Sequence, residues 1–201
     1  GRLPEVTTLI GLSYQSSPLI GLIGHPWSEG GDKFSPVVYA GMVGTGKVIK
    51  IDINKECKVV KEYGLFEVRE REKWRIAVSS NHYHPEIENL LSYFPNLERL
   101  RSSGMGSKYI RMINGEIDGF LQNIGGCGKW DTLAGSTLVI TLGGDDTGVR
   151  GERYCYDGGQ EDTKITKGMF SLIDRKQHHS LLQKFNEYYS SMFPSNFSPP
   201  N

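Results

Sequence analysis

The sequence predicts a layered protein of mixed structure, α+β in its first third and α/β thereafter. Two observations carry this. Up to residue 66, apolar residues recur with a period of two between clusters of turn residues. From Trp74 onward, strand-like and helix-like runs alternate, the order of helices packed on a central sheet. The length of 201 residues suits one large domain or two small ones.

Taken in order, "EVTTLIGLSYQ" and "PLIGLIGHPW" read as strands joined by a turn at Ser16, Ser17 and Pro18. A hairpin, "VVYAGMV" to "VIKIDI", completes an antiparallel meander. The charges crowded between Glu67 and Arg75 read as a solvated linker. Next come a strand "WRIAVSS" and a helix "PEIENLLSYF", whose Ile87, Leu90, Leu91 and Phe94 share helical spacing. A short strand "NLERLRS" leads into the helix of "SGMGSKYIRMING". The strand "IDGFLQN" precedes a helix "DTLAGSTLVITLGG" closed by Gly143 and Gly144. Asp145 and Asp146, followed by Thr147 and Gly148, read as turn chemistry. A strand "GMFSLID" and a helix "QHHSLLQKFNEYYSSMF" end the pattern. The expected division is a β-meander at 1–66, a linker at 67–75 and an α/β domain at 76–201.

Inside the hairpin, Gly41 to Lys47 has the glycine and lysine spacing of a P-loop. That motif needs a Ser or Thr hydroxyl after the lysine, at the start of a helix, to hold Mg²⁺; here the next residue is Val48 and a β-branched run follows. A hairpin turn is the expectation, and nucleotide triphosphate binding is not.

Lys plus Arg and Asp plus Glu both number 23, so the formal charge is zero and neither a polymeric nucleic acid nor an anionic membrane is suggested as partner. A small ligand fits better. Three cysteines without a CxxC pair argue against a disulfide framework or a structural zinc site and suit a reducing, cytoplasmic setting. No apolar run approaches the roughly 20 residues of a membrane span. The chain opens in "GRLPEVTTLIGL", strand-like within a few residues and without Met, which reads as a start in the middle of a larger protein.

The sharpest chemical signal is "GGCGKWDTLAGSTLVITLGG", which delivers Asp131 to the first turn of a helix rich in small residues. By itself such an Asp is a helix cap at the positive helix end. Its surroundings resemble the inositol monophosphatase superfamily of Mg²⁺-dependent, lithium-sensitive phosphatases, whose second signature is a Trp-Asp opening a small-residue helix that ends in Gly-Gly. Within it, "GCGKWDT" is most similar to the 3'(2'),5'-bisphosphate nucleotidase branch and next to inositol polyphosphate 1-phosphatase. The segments "VTTLIGLSYQSSPLIGLIGHPW", "YAGMVGTG", "AVSSNHYHPEI" and "SSGMGSKYIRMINGEIDGFL" resemble further family segments in the same order.

The resemblance implies a layered α-β-α-β-α sandwich with its N-terminal layer incomplete. It implies that Asp131 is a ligand of catalytic Mg²⁺, one oxygen donor among several converging from elsewhere. Gly104, Met105 and Gly106 would offer backbone N–H groups to an anionic oxygen. Lys108 would place a point charge on a phosphate, and His82 would contact the sugar or distal phosphate, with Ser80 and Asn81 nearby. Two departures stand out. The first signature, Asp-Pro-x-Asp-Gly-Thr, and the upstream metal-binding Glu are absent, so the chain looks like the C-terminal two-thirds of the enzyme and is expected to need its N-terminal part for turnover. Gln122 stands where some nucleotidases of the branch carry an Arg. The implied activity is removal of the 3'(2')-phosphate from a small nucleoside bisphosphate. Inositol bisphosphate hydrolysis and a catalytically silent binding domain are the rivals.

Overall fold

The computed structural model describes residues 3–67, 72–80, 85–122, 127–157 and 163–192. Sheet one is an antiparallel meander in sequence order: β1 (Thr8–Tyr14), β2 (Ser17–His25), β3 (Val37–Met42), β4 (Val48–Asp52) and β5 (Lys58–Tyr63). The β1–β2 turn is tighter than the sequence suggested. Gln15 and Ser16 alone make it, with φ of 47° and 63°, the left-handed pair of a two-residue hairpin. Ser17 and Pro18 instead begin β2, and Pro18 sits beside a register shift at Leu12 and Ser13, where a missing ladder donor is tolerated.

The expected hairpin forms between β3 and β4, with Gly44 and Gly46 at positive φ and Lys47 paired to Glu62 at 3.0 Å on the exposed surface. No helix follows the lysine, so the P-loop reading fails on geometry as well as on sequence. Strand β5 was not expected. Its charged "KVVKEY" belongs to an edge, where Lys and Glu discourage further pairing.

Sheet two has the order β7-β6-β8-β10-β9, from β6 (Trp74–Ser79), β7 (Leu97–Ser102), β8 (Gly119–Gln122), β9 (Asp145–Thr147) and β10 (Met169–Leu172). Strand β6 is parallel to both β7 and β8, while β10 runs antiparallel to β8 and β9. Between the sheets lie α2 (Met105–Ile113) and α3 (Lys129–Thr141); α1 (Pro85–Tyr93) contacts β7 and α4 (Arg175–Met192) contacts β10. The stack is sheet, helix pair, sheet, helix pair. Phe94, Phe170 and Phe185 close the far side, with ring centroids 5.2–5.3 Å apart.

Helix α3 lies close on sheet one because glycines clear its path. A Cβ at Gly11 would meet Leu133 at 2.5 Å, one at Gly21 the carbonyl of Ala134 at 2.3 Å, and one at Gly41 the side chain of Leu138 at 3.0 Å. The opposite face of the same sheet carries Ile10, Leu12, Tyr14 and Met42, all exposed, and no described helix covers it. The two sheets with helices between and beyond them agree with the expected layered sandwich. The linker segment ends at β6, which already begins at Trp74; residues 68–71 of it lie outside the described residues.

Candidate functional site

Strands β6, β7 and β8 run parallel, and their carboxyl ends, Ser79, Ser102 and Gln122, share one edge of sheet two. Loops leaving such ends are where open α/β sheets place ligands. Every residue singled out from the sequence follows one of these three ends. Gly104 to Lys108 follow β7, Asp131 follows β8, and His82 and Asn81 follow β6 but lie outside the described residues. Ser80 is exposed, and its N–H donates to the carbonyl of Ser102 at 3.2 Å, holding the end of β6 beside the glycine loop.

The start of α2 is left open. Its N-cap, Gly104, has φ 72° and ψ 128°, and no side chain caps the helix. The loop is pressed onto the segment before β1, since a Cβ on Gly104 would meet the carbonyl oxygen of Glu5 at 2.8 Å and one on Gly106 the hydroxyl of Thr7 at 2.3 Å. Met105, Gly106 and Ser107 carry the first-turn amides of this helix, at its positive end, with no side-chain cap.

One turn on, Lys108 is 3% exposed. Its Nζ donates to Gln122 Oε1 at 2.7 Å and lies 5.6 Å from the centroid of Phe120. Among the described residues no carboxylate lies within ion-pair distance of it. Burial therefore pulls its ammonium down to about 8. The contact with Gln122 was not foreseen; the signal was only that both residues border the same loops.

The start of α3 is filled from within. Asp131, half-buried, accepts the N–H of Gly128 on Oδ2 at 2.8 Å, and its own N–H donates to the Gly128 carbonyl at 3.0 Å. Asp131 is not the N-cap residue expected of an isolated Asp: Gly128 holds that position, and Asp131, third in the helix, reaches back to its N–H and so occupies one carboxylate oxygen. Residues 163–165 pin this start, through Lys129 N–H to Thr163 O at 2.8 Å and Ile165 N–H to Cys127 O at 3.0 Å. Beside Asp131 the indole of Trp130 lies against Gly128 and is 63% exposed. Cys127 is buried between the two arms of the site. Burial and the Asp131 carboxylate push its thiol up to about 12 while Lys108 draws it down, so both charges act on one point.

Asp145 and Asp146 are not in a turn. They form β9, an edge strand in which both are buried. Burial opposes ionisation of Asp145, but the Arg153 guanidinium, bound to both its oxygens, holds it below the usual carboxylate range. Asp145, His178 and His179 bring possible metal-ligating atoms within 4.8 Å of one another. Arg153 already fills that carboxylate and Arg175 stands 3.9 Å from it, so cations of the protein take the place a metal would need. Burial pushes His178 down to about 4, and its Nε2 lies 3.0 Å from the Phe170 carbonyl.

A layered α+β fold, with a buried cation and a carboxylate at helix starts beyond parallel strand ends, defines the class of the protein. A profile of the inositol monophosphatase family matches residues 2–188, and the chain belongs to that family. The 3'(2'),5'-bisphosphate nucleotidase 1 of Rattus norvegicus is 26% identical over 162 residues, covering 78% of this chain and 47% of that protein. Its Homo sapiens counterpart is 26% identical over 199 residues, covering 96% of this chain and 56% of that one. The chain thus spans about half the length of the curated relatives it matches. The structure of inositol monophosphatase from Anabaena superposes with a TM-score of 0.63 at 18% identity, over 92% of this chain and 65% of that one, a likeness of fold alone. No described helix is long and apolar enough to cross a membrane.

Proposed function

We propose that the chain carries part of the active site of a Mg²⁺-dependent phosphomonoesterase, which removes the 3'(2')-phosphate from 3'-phosphoadenosine 5'-phosphate and related small nucleotides. The observation that carries this is Lys108, a nearly buried ammonium with a neutral amide as its hydrogen-bonded partner. An ammonium held that way is costly until an anion joins it, and a phosphate beside the uncapped start of α2 supplies the charge. Lys108 and the amides of Met105, Gly106 and Ser107 then hold phosphate oxygens in place.

Asp131 fits a hard cation. One of its oxygens is taken by Gly128 and the other remains, and carboxylate oxygen is the donor Mg²⁺ prefers. When bound, Mg²⁺ supplies Lewis acidity to phosphoryl oxygens. A single carboxylate does not hold it alone, so further oxygen ligands come from the N-terminal part of the same enzyme, which on this reading also covers the apolar outer face of sheet one. The nucleotide preference rests on the nucleotidase relatives. The inositol phosphate alternative rests on the family and on its structural neighbours.

Phosphate release from 3'-phosphoadenosine 5'-phosphate and from inositol 1,4-bisphosphate, measured with Mg²⁺ on protein that includes the N-terminal part, tests this reading. Nucleotide turnover that Asp131→Asn abolishes is the expected result. Faster inositol turnover replaces the substrate, and turnover of neither leaves a silent binding domain.

A further inference from the structure

Between α2 and α3 lies a carboxylate that the proposed chemistry does not use. Asp146 is 6% exposed. Its Oδ2 accepts two hydroxyl hydrogen bonds, from Tyr109 Oη at 2.6 Å and from Ser136 Oγ at 2.8 Å. Its Oδ1 is buried with no partner among the described residues. Tyr156 extends the network, its Oη lying 3.3 Å from Ser136 Oγ and 3.0 Å from Thr132 Oγ1. In the chain, Tyr109 follows Lys108 and Thr132 follows Asp131. Contact between the helices is equally close, because a Cβ on Gly135 would stand 1.9 Å from the Tyr109 ring.

We infer that Asp146 is a positioning residue, which fixes the turn of α2 bearing Lys108 through Tyr109 and the helix bearing Asp131 through Ser136, so that the two arms of the site keep one spacing. The roles of those arms rest on the proposed function; the tie between the helices does not. A rigid tie is what one buried carboxylate oxygen shared by two hydroxyls provides, since moving either helix breaks a buried hydrogen bond. Asp146 is also placed to change charge near neutrality. Tyr109 faces it from α2, Tyr154 and Tyr156 from the segment after β9, Cys127 from the start of α3, and Asp145 and Arg153 from its own side. Burial outweighs the two hydroxyls and raises its carboxyl to about 7.

Acylation of the Lys108 amine by acetic anhydride, followed by mass spectrometry across pH 6 to 9, reads the tie. Asp146→Asn keeps the size and one acceptor, so labelling is expected within about twofold of wild type, with any inflection near pH 7 removed. Asp146→Leu releases both hydroxyls and raises labelling about tenfold while thermal melting stays cooperative. Should that variant not fold, Tyr109→Phe deletes the α2 arm alone and raises labelling about threefold. Equal labelling of wild type and the variants that lose the tie overturns the inference, as does an Asn variant labelled as fast as Tyr109→Phe. Repeating the measurement with inorganic phosphate separates the two readings: protection of Lys108 supports the phosphate site, and its absence removes that site while leaving the effect of Asp146 standing.

Discussion

Helices α2 and α3 start on the same edge of the molecule with the same positive helix end, and they meet it in opposite ways. Gly104 caps α2 without a side chain, and Lys108 adds a second positive charge that is almost out of water. In α3, Asp131 turns back onto Gly128 and neutralises the end from inside. One start is kept short of negative charge and the other is supplied with it. On the proposed function, the difference separates a site for an anion from a site for a cation on neighbouring elements.

The comparison is broken most completely at the contact that holds the two helices together. Gly135→Val would drive its side chain into the Tyr109 ring, where even a Cβ stands 1.9 Å away. The expected loss is about 4 kcal/mol or more, enough to unfold a marginal domain. Urea denaturation checks it, and a variant within about 0.5 kcal/mol of wild type, the effect of an ordinary surface change, refutes the close contact.

Next in size is the charge on α2. The folded pKa of Lys108 is depressed to about 8, so above the unfolded value of roughly 10.4 the amine is neutral in both states and costs nothing. As pH falls through that window the unfolded chain takes up the proton first, and stability is lost until about pH 8, below which it is flat. The total is about 3 kcal/mol at about 1.4 kcal/mol per unit. Wild type should therefore gain stability from pH 8 to pH 10 relative to Lys108→Met, and parallel curves for the two proteins would remove the buried ammonium from the account.

Much of this was legible in the sequence, for a physical reason. Periodicity and turn residues report on local structure, so the strand and helix order from Thr8 to Met192 followed except for β5 and β9, and the family resemblance singled out Asp131 and Lys108. Strand β5 was missed because an edge strand carries charges on positions that an interior strand would keep apolar. Asp145 and Asp146 were misread because adjacent acids after Gly-Gly are ordinary turn residues; what buries them is Arg153 for one and Tyr109 with Ser136 for the other. Tyr109 lies 37 residues away, and Arg153 and Ser136, 8 and 10 residues away, lie outside the strand; pairings between elements leave no local trace. The Gln122 contact of Lys108 belongs to the same class.

A smaller effect is expected at the start of α3. Asp131→Ala removes the acceptor of the Gly128 N–H and should cost about 1 kcal/mol. Asp131→Asn keeps an acceptor and should cost less, while losing the charge that a divalent cation needs. If the Asn variant were as destabilised as the Ala variant, the carboxylate would be serving the helix by its charge rather than by its hydrogen bond.

The smallest change is expected at the glycine hairpin, which mimics a phosphate loop without the setting for one. Lys47 sits in the β3–β4 connection, its side chain exposed and paired with an equally exposed Glu62. An ion pair of that kind contributes roughly 0–1 kcal/mol, and the lysine leads into strand β4 rather than a helix start that could gather a phosphate. Lys47→Ala should therefore shift stability by less than about 0.5 kcal/mol and leave phosphate protection of Lys108 unchanged. Neither Lys47 nor Glu62 touches the residues that open α2 or α3 in any described hydrogen bond or ion pair, so the variant leaves the contrast between the two helices intact. Saturable ATP binding that the substitution abolishes would move the anion site from the start of α2 to the hairpin.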